Sequence, residues 1–588
     1  MKQFASNFAA FMKTAWKIEK KYFLYLFLSF IGTSTFSYCI IQLPKIVLDM
    51  IDLLEIDIQK LIILFSVLLI SAFLSSFSKV LYSPIGLTIR YHYLLKISEQ
   101  YISIPFEEYD NPKNQSNVWQ IMRPVNSIDG IQAFYTNIAQ LFGNLGVLFV
   151  AIGIIFRIEL GISMMILAWF FIYTVLSIKA ANKVDDEWNK AITLNREQWY
   201  LDDIAVDVAY GKEIRVFQLQ NWLQNKLSVL NDKLNKLFRK NETTLMIPGI
   251  LDDVYQFIRD SLIYIFLITM YFRKDIGIGE FASYSLMISQ LNRALFTGAD
   301  NIKQILSKHD NYKRMLEFID IPKQCNEGIP IDGSSSWSIS FEDVSFKYPN
   351  SEKWIYKNLD FTIKKGSKIA IVGLNGVGKT TLLKLLLRLY KPTEGKITLN
   401  GIDINEYKLN DYFQLFAPVF QEINIFPFTI RDNMTFGSDI DDETLLQAIK
   451  DAGLEEDRFE KAKLDSTYMT RYLHQDGLNL SGGQAQKFAT ARAFASKRSV
   501  YILDEPTSAL DAVAEYEFYH QVETNMREQT VLFVSHRLAS TQFCDEILLI
   551  EDETISEKGS HRELLEKDGR YAELFKMQAK YYQKEEAL

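Results

Sequence analysis

The chain has 588 residues, too many for one ordinary core, so at least two domains are expected. Hydrophobic residues make up 48 % and aromatics 13 %, and long apolar runs crowd the first half, which predicts a membrane domain fused to a soluble α/β domain. A net charge of -8 with no single-sign basic face argues against nucleic acid as a partner, and the dispersed Cys39, Cys325 and Cys544 fit neither a disulfide framework nor a zinc spacing.

Residues 1 to 21 do not read as a cleavable signal, because Lys13, Lys17, Lys20 and Lys21 lead into an apolar run that is too long and lacks a small-residue cleavage site. Phe4, Phe8, Phe11 and Ala15 share one helical face and Lys2, Lys13, Lys17 and Lys20 the other. This predicts an amphipathic helix on the inner membrane face, the alternative being a helix packed on protein. Six spans are expected over about 22–48, 61–85, 131–156, 160–178, 250–272 and 277–298. The last two carry Arg259 and Asp260, and Gln290, Asn292 and Arg293. Intramembrane charges usually face a bundle interior or water, so these residues are candidates for a substrate cavity; alternatively both segments are cytoplasmic extensions of long helices. Asn137, Gln140 and Asn144 lie on one face of span three and offer a third cavity wall, although interhelical packing explains them equally.

The connections 86–130 and 179–249 are long and rich in Lys and Arg, which places them, and with them both termini, in the cytoplasm. Both read as helical continuations of the spans, turning at Tyr109-Asp110-Asn111-Pro112 and at Ala209-Tyr210-Gly211-Lys212. A short transverse helix at each turn would suit docking on a partner domain, or these are ordinary exposed turns. Residues 1–324 are thus expected to form the membrane domain, 325–337 a Gly/Pro/Ser-rich linker, and 338–588 the soluble domain.

In the soluble half, Gly373-Leu374-Asn375-Gly376-Val377-Gly378-Lys379-Thr380 has the spacing G-x-x-x-x-G-K-[ST] between an apolar strand, Ile369 to Val372, and a helical pattern, Leu382 to Tyr390. In that context the motif is a phosphate-binding loop: glycines let the backbone wrap a polyphosphate, and inward N–H groups with a helix N-terminus supply positive potential. Lys379 would reach the β- and γ-phosphates and the Thr380 hydroxyl would ligate Mg²⁺. Upstream, Tyr348 follows a strand-like pattern and can stack on adenine. Downstream come Gln421 after an apolar strand and Ser481-Gly482-Gly483-Gln484 opening a helix. Val500 to Leu503 then delivers Asp504 and Glu505 to a sheet edge, and Val531 to Val534 leads to His536.

As an ordered set these parts resemble the nucleotide-binding domain of ATP-binding cassette (ABC) proteins: the phosphate loop as Walker A, Gln421 as Q-loop, LSGGQ as signature, Val500 to Glu505 as Walker B, Ser508 to Asp511 as D-loop and His536 as H-loop. The resemblance covers 338–588 and, with six preceding spans, the chain looks like a half-transporter of the ABC exporter type. It implies a six-span α-helical domain with long cytoplasmic extensions, then an α/β P-loop ATPase domain with an antiparallel β subdomain and a helical signature subdomain. It also implies that Tyr348, Gly373, Asn375, Gly376, Gly378, Lys379, Thr380 and Thr381 bind ATP, and that Ser481, Gly482, Gly483, Gln484 and Asp511 contact it in the dimer, where one subunit's signature completes the other's site. Thr380, Gln421 and Asp504 would hold Mg²⁺, Glu505 would act as the base, and His536 and Gln421 would assist it.

No catalytic position is degenerate, although Ala485-Gln486-Lys487 follows LSGGQ where the family often has Arg, and Gln475 and Asp476 stand where many exporters have Glu. The expected activity is ATP-driven export by alternating access in a homodimer, or a heterodimer, at the cytoplasmic membrane. The first loop, Phe106 to Pro112, is similar to that of bacterial lantibiotic exporters, which points to a modified peptide as cargo, with multidrug or lipid export as the alternative and an ATP-gated channel as a lesser one. The roughly 21 residues before the first span leave no room for an N-terminal leader protease. A soluble ABC ATPase of DNA repair or translation is excluded by the spans.

Overall fold

The structure, a computed structural model, describes residues 2–585 except 54–56, 128–129, 156–159, 332–336, 350, 455–458, 508–509, 511 and 527. It divides into two compact units, Met1–Ile104 with Asn111–Ile321, and Pro105–Asp110 with Pro322–Leu588.

The first unit is helical: α1 (Lys2–Ile18), α2 (Lys21–Leu53), α3 (Ile58–Ser103), then, past α4 (Phe106–Tyr109), which belongs to the second unit, α5 (Pro112–Asn126), α6 (Ile131–Ile155), α7 (Leu160–Lys190), α8 (Ile192–Val206), α9 (Gly211–Val216), α10 (Gln220–Phe272), α11 (Ile278–Ser307) and α12 (His309–Ile319). Among the described residues three helices are long and apolar enough to cross a membrane, over Lys21–Asp52, Ile58–Ser103 and Ile131–Ala151. The other three predicted spans fall on α7, α10 and α11. At 1.5 Å per residue α3 and α10 are about 69 and about 80 Å long, more than twice the ~30 Å of a hydrocarbon core.

Both predicted breaks occur. Pro112 opens α5, where its missing N–H is no loss, and a 3₁₀ turn over Val208–Tyr210 precedes α9. Small residues let α2 pack closely on two neighbours. A Cβ on Gly32 would sit 2.8 Å from Ser75 N, and Thr33 Oγ1 donates to Gly143 O at 2.9 Å.

Part of the apolar face of α1 is covered by protein, the alternative its sequence left open. Phe11 and Ala15 are fully buried, and the Phe11 ring packs on Tyr93, Phe134 and Tyr312 within the same unit. Burying one such aromatic is worth about 1.5–3 kcal/mol, so at Phe11 and Ala15 the stripe is satisfied by protein.

The second unit holds two sheets. An antiparallel sheet has the order β2-β1-β4-β5, from β1 (Ser338–Lys347), β2 (Trp354–Lys364), β4 (Glu394–Leu399) and β5 (Ile402–Asp403). The central sheet has the order β10-β9-β3-β8-β7-β6, from β3 (Lys368–Val372), β6 (Phe416–Val419), β7 (Val500–Asp504), β8 (Thr530–Ser535), β9 (Glu546–Glu551) and β10 (Thr554–Gly559). Its strands from β9 to β6 run parallel and β7 and β8 are wholly buried, which is why they read as unbroken apolar runs. Helices α13 (Lys379–Leu386) and α14 (Leu409–Phe413) follow the phosphate loop, and α15 (Ile430–Thr435), α16 (Asp442–Asp451) and α17 (Gly482–Ala495) share a separate small core around Ile430, Leu445 and Phe488. Helices α18 (Ala512–Asn525), α19 (His561–Glu566) and α20 (Arg570–Glu585) complete it.

Candidate functional site

Sheet register builds the site. Val372 pairs with Ser535 and Asp504 with Val534, so the carboxyl ends of β3, β7 and β8 lie side by side and carry the phosphate loop, Glu505 and His536 to one edge. In the loop Gly376 and Gly378 take φ of +83° and +109°. A side chain at Gly378 would be strained and would also meet Ile355 Cγ2 at 2.6 Å, while Tyr356 Oη donates to the Gly378 carbonyl at 2.8 Å from behind.

Lys379 is buried, and its Nζ donates to the loop's own carbonyls, Gly373 O at 2.9 Å and Leu374 O at 3.2 Å. Burial holds its pKa below the usual lysine range against the opposing pull of Glu505 and Asp504. Thr380 Oγ1 faces Asp504 Oδ2 at 3.5 Å. Burial, reinforced by the neighbouring Glu505 charge, pushes the Asp504 carboxyl up to about 6. Thr381 shares a 2.9 Å hydrogen bond with the Tyr348 hydroxyl.

Glu505 sits at the centre of a clamp. Oε2 accepts from Gln421 Nε2 at 3.0 Å and Oε1 lies 3.1 Å from His536 Nδ1. Its φ of +49° is unusual for a residue with a Cβ and persists because the backbone is tied on both sides, N–H to Val534 O at 2.9 Å and C=O to Gln486 Nε2 at 3.1 Å. Gln486 was not among the residues expected here. Its only sequence signal was its place two residues past the signature, in the Ala485-Gln486-Lys487 departure.

Ser481 caps α17: its Oγ accepts from Gln484 N at 3.4 Å and Gln484 Oε1 from Ser481 N at 3.1 Å, a capping box that leaves Ser481 and Gly482 open to solvent, with Gly483 half-buried. Gly373 and Asn375 lie in the loop as expected, and Asp511 lies outside the described residues.

The predicted cavity residues of the first unit separate. Asn137 Nδ2 donates to Gln304 Oε1 at 3.0 Å and Asn144 Nδ2 to Thr297 Oγ1 at 2.9 Å, both tying α6 to α11. Arg259 and Asp260 pair at 2.9 Å and Arg259 borders a cleft; Gln140 and Arg293 are exposed, Gln290 is half-buried, and none of these three lines that cleft.

Residues 356–508 match the family model "ABC transporter". Over 589 residues the chain is 26 % identical to the subtilin transport ATP-binding protein SpaT of Bacillus subtilis, covering 96 % of this chain and 92 % of that one. It is 27 % identical to the Beta-(1-->2)glucan export ATP-binding/permease protein NdvA of Bartonella bacilliformis, over 81 % and 79 %. The ATP-dependent lipid A-core flippase of Chromohalobacter salexigens is 36 % identical over only 51 % of each. The fold is that of a bacterial Atm1-family ABC exporter solved with ATP bound, with a TM-score of 0.80, 20 % identity, and coverage of 96 % and 99 %. The chain joins an ABC transporter domain to a membrane domain. ATP hydrolysis coupled to transport is the activity of this exporter, and the ATPase domain is the cytoplasmic part of a membrane protein.

Proposed function

We propose that the exporter moves a modified peptide outward across the cytoplasmic membrane as one half of a dimer, most simply a homodimer, by alternating access over six spans. The observation that carries the reading is the similarity to the subtilin transporter along 96 % of the chain, whereas the flippase similarity spans about half of each chain. The glucan exporter keeps the cargo open to test. Export of lipids or drugs is the alternative.

In this reading residues 1–324 form the membrane domain, 325–337 the linker and 338–588 the ATPase. Tyr348 stacks on adenine. Lys379 exchanges the carbonyls of Gly373 and Leu374 for the β- and γ-phosphates, and the loop N–H groups cradle them. Glu505 orients the attacking water and takes its proton, held in place by Gln421 and His536. The exposed Ser481 and Gly482, with Gly483 and Gln484, complete the site of a second copy, so one chain alone does not turn over.

A divalent cation fits the donor set. Thr380 and Asp504 face each other while Gln421 bonds the adjacent Glu505, and a carboxyl that burial and the neighbouring Glu505 push up to about 6 gains most from a nearby cation. Mg²⁺ would neutralise phosphate charge there.

The test is ATPase activity of the purified chain in lipid nanodiscs with cationic modified peptides, lipophilic drugs and lipids, with Glu505→Gln as the blank. Stimulation by peptides alone supports a self-sufficient peptide exporter. Stimulation by lipids alone overturns the cargo assignment, and no turnover above the blank overturns the homodimer.

A further inference from the structure

His536 meets Glu505 from a loosely packed position. Its Nδ1 lies 3.1 Å from Glu505 Oε1, yet its side chain is 44 % exposed against 14 % for Glu505, so burial does not hold the imidazole in place. The aim of the ring is set by the backbone that carries it, which leaves β8 at Ser535 and enters a 3₁₀ stretch over Leu538–Phe543.

One side of that backbone is held from α18. Arg537 Nη1 pairs with Glu515 Oε2, Glu515 Oε1 accepts from Thr507 Oγ1 at 2.9 Å, and the Arg537 N–H donates to Ser535 Oγ at 2.9 Å. The other side is held from α20. The Gln578 side-chain amide spans Arg537: Nε2 donates to His536 O at 2.7 Å and Oε1 accepts from the Leu538 N–H at 2.8 Å. A carboxamide closes both bonds because it is donor and acceptor at once, which neither an apolar nor an ionised side chain is.

Helix α20 is itself firmly seated. The N–H groups of Arg570 and Tyr571, in its first turn, donate to Glu557 Oε1 at 2.6 Å and Oε2 at 3.1 Å. Tyr571 is fully buried, and its hydroxyl lies 2.7 Å from both Thr541 Oγ1 and His561 Nδ1. Gln578 stands two turns farther along the same face of the helix, so α20 fastens the stretch after His536 at two points, Thr541 and the Arg537 peptides.

We propose that Gln578 is a positioning residue for ATP hydrolysis: it fixes the peptide planes on both sides of Arg537 and so keeps the His536 imidazole on Glu505. The inference rests on the reading of Glu505 as the base assisted by His536, and it adds the last helix of the chain to that machinery.

The experiment is Gln578→Met in the full chain in lipid nanodiscs, read by basal ATP turnover, by the KM for ATP and by backbone hydrogen–deuterium exchange. The kcat should fall roughly tenfold with KM within about twofold of wild type, because the phosphate loop is untouched. Exchange across 536–541 should quicken roughly tenfold while β8 exchanges as in wild type. A rise in KM that matches the loss of kcat, or faster exchange in β8 as well, overturns the proposal and assigns Gln578 to the fold of the domain. Wild-type kcat, or unchanged exchange across 536–541, also overturns it. Should wild type alone not exceed Glu505→Gln, the homodimer reading falls and the same series is read on the chain assembled with its second half. Turnover of Glu505→Gln like wild type removes the base that the proposal rests on, whereas loss of turnover in Glu505→Gln with none in Gln578→Met removes the positioning residue alone.

Discussion

The two units put their polar groups to opposite uses. In the ATPase unit charges are clamped into a fixed constellation: Glu505 lies between Gln421 and His536 with its backbone tied by Val534 and Gln486. In the helical unit polar groups join helices, as Asn137 and Asn144 do, or pair along and between them, as Arg259 and Asn292 do with Asp260. A hydrolytic site gains from donors fixed before the substrate arrives, whereas polar groups in a helix bundle gain by fastening one helix to the next.

The sharpest way to break the first half of this comparison is Glu505→Gln. The amide keeps the shape of the clamp but cannot take the proton, so turnover should fall about 10²–10⁴-fold while ATP binding persists. Nucleotide binding and phosphate release, measured on the same preparation, check it. Wild-type turnover would move the base elsewhere.

Asp504 tests whether the constellation is held against its own stability. Its carboxyl is pushed up to about 6 from an ordinary value of 3.8. Between those pH values the folded state keeps a proton that the unfolded chain has lost, so stability falls as pH rises through that window and the penalty is complete above it. It amounts to about 3 kcal/mol at most. Nucleotide-free Asp504→Asn should therefore unfold at higher temperature than wild type at pH 7.5, lose that advantage as pH falls toward 4, and lose ATP turnover. A variant less stable than wild type at pH 7.5 would show that the carboxylate is not penalised there.

Gln486 sharpens the comparison further. It donates to the Glu505 carbonyl at 3.1 Å. Gln486→Ala should lower turnover roughly tenfold through lost positioning, with nucleotide affinity unchanged and the pH profile retained. An unchanged rate would mean that the bond from the Glu505 N–H to Val534 suffices.

The units also differ in what their sequence disclosed. The phosphate loop, Asp504, Glu505 and His536 were legible because their chemistry demands fixed residue types at strand ends, and sheet register then left little freedom in where they meet. Gln486 was not, since its bond depends on how α17 abuts the end of β7. In the helical unit the helices and both breaks were readable from periodicity and from Asn-Pro and Gly. The fate of each polar residue was not: Asn137 and Arg259 look alike as polar residues in apolar runs, and only the geometry shows that one ties two helices together while the other pairs with its own neighbour, Asp260. The burial of Phe11 has the same cause, because an amphipathic stripe does not state whether protein or lipid covers it.

The smallest expected effect concerns the segment Pro105–Asp110, which the chain threads out of the helical unit and which the second unit holds. Tyr390 Oη donates to Asp110 Oδ2 at 2.6 Å, and Lys384 Nζ lies 3.6 Å from the same oxygen and within 5.8 Å of the centroids of Phe106, Tyr348 and Tyr390. Tyr348 in turn bonds Thr381, one residue past Thr380. Within the second unit these contacts thus run from Asp110 to Thr381, one residue past the nucleotide loop, and a change there should move coupling rather than chemistry. Tyr390→Phe removes one neutral hydroxyl donor and leaves the weaker Lys384 pair, so basal turnover should stay within about twofold while cargo stimulation drops about two- to fivefold. Measured together on one nanodisc preparation, equal loss of both activities would assign Tyr390 to the stability of the ATPase unit and leave the link between the units to other residues.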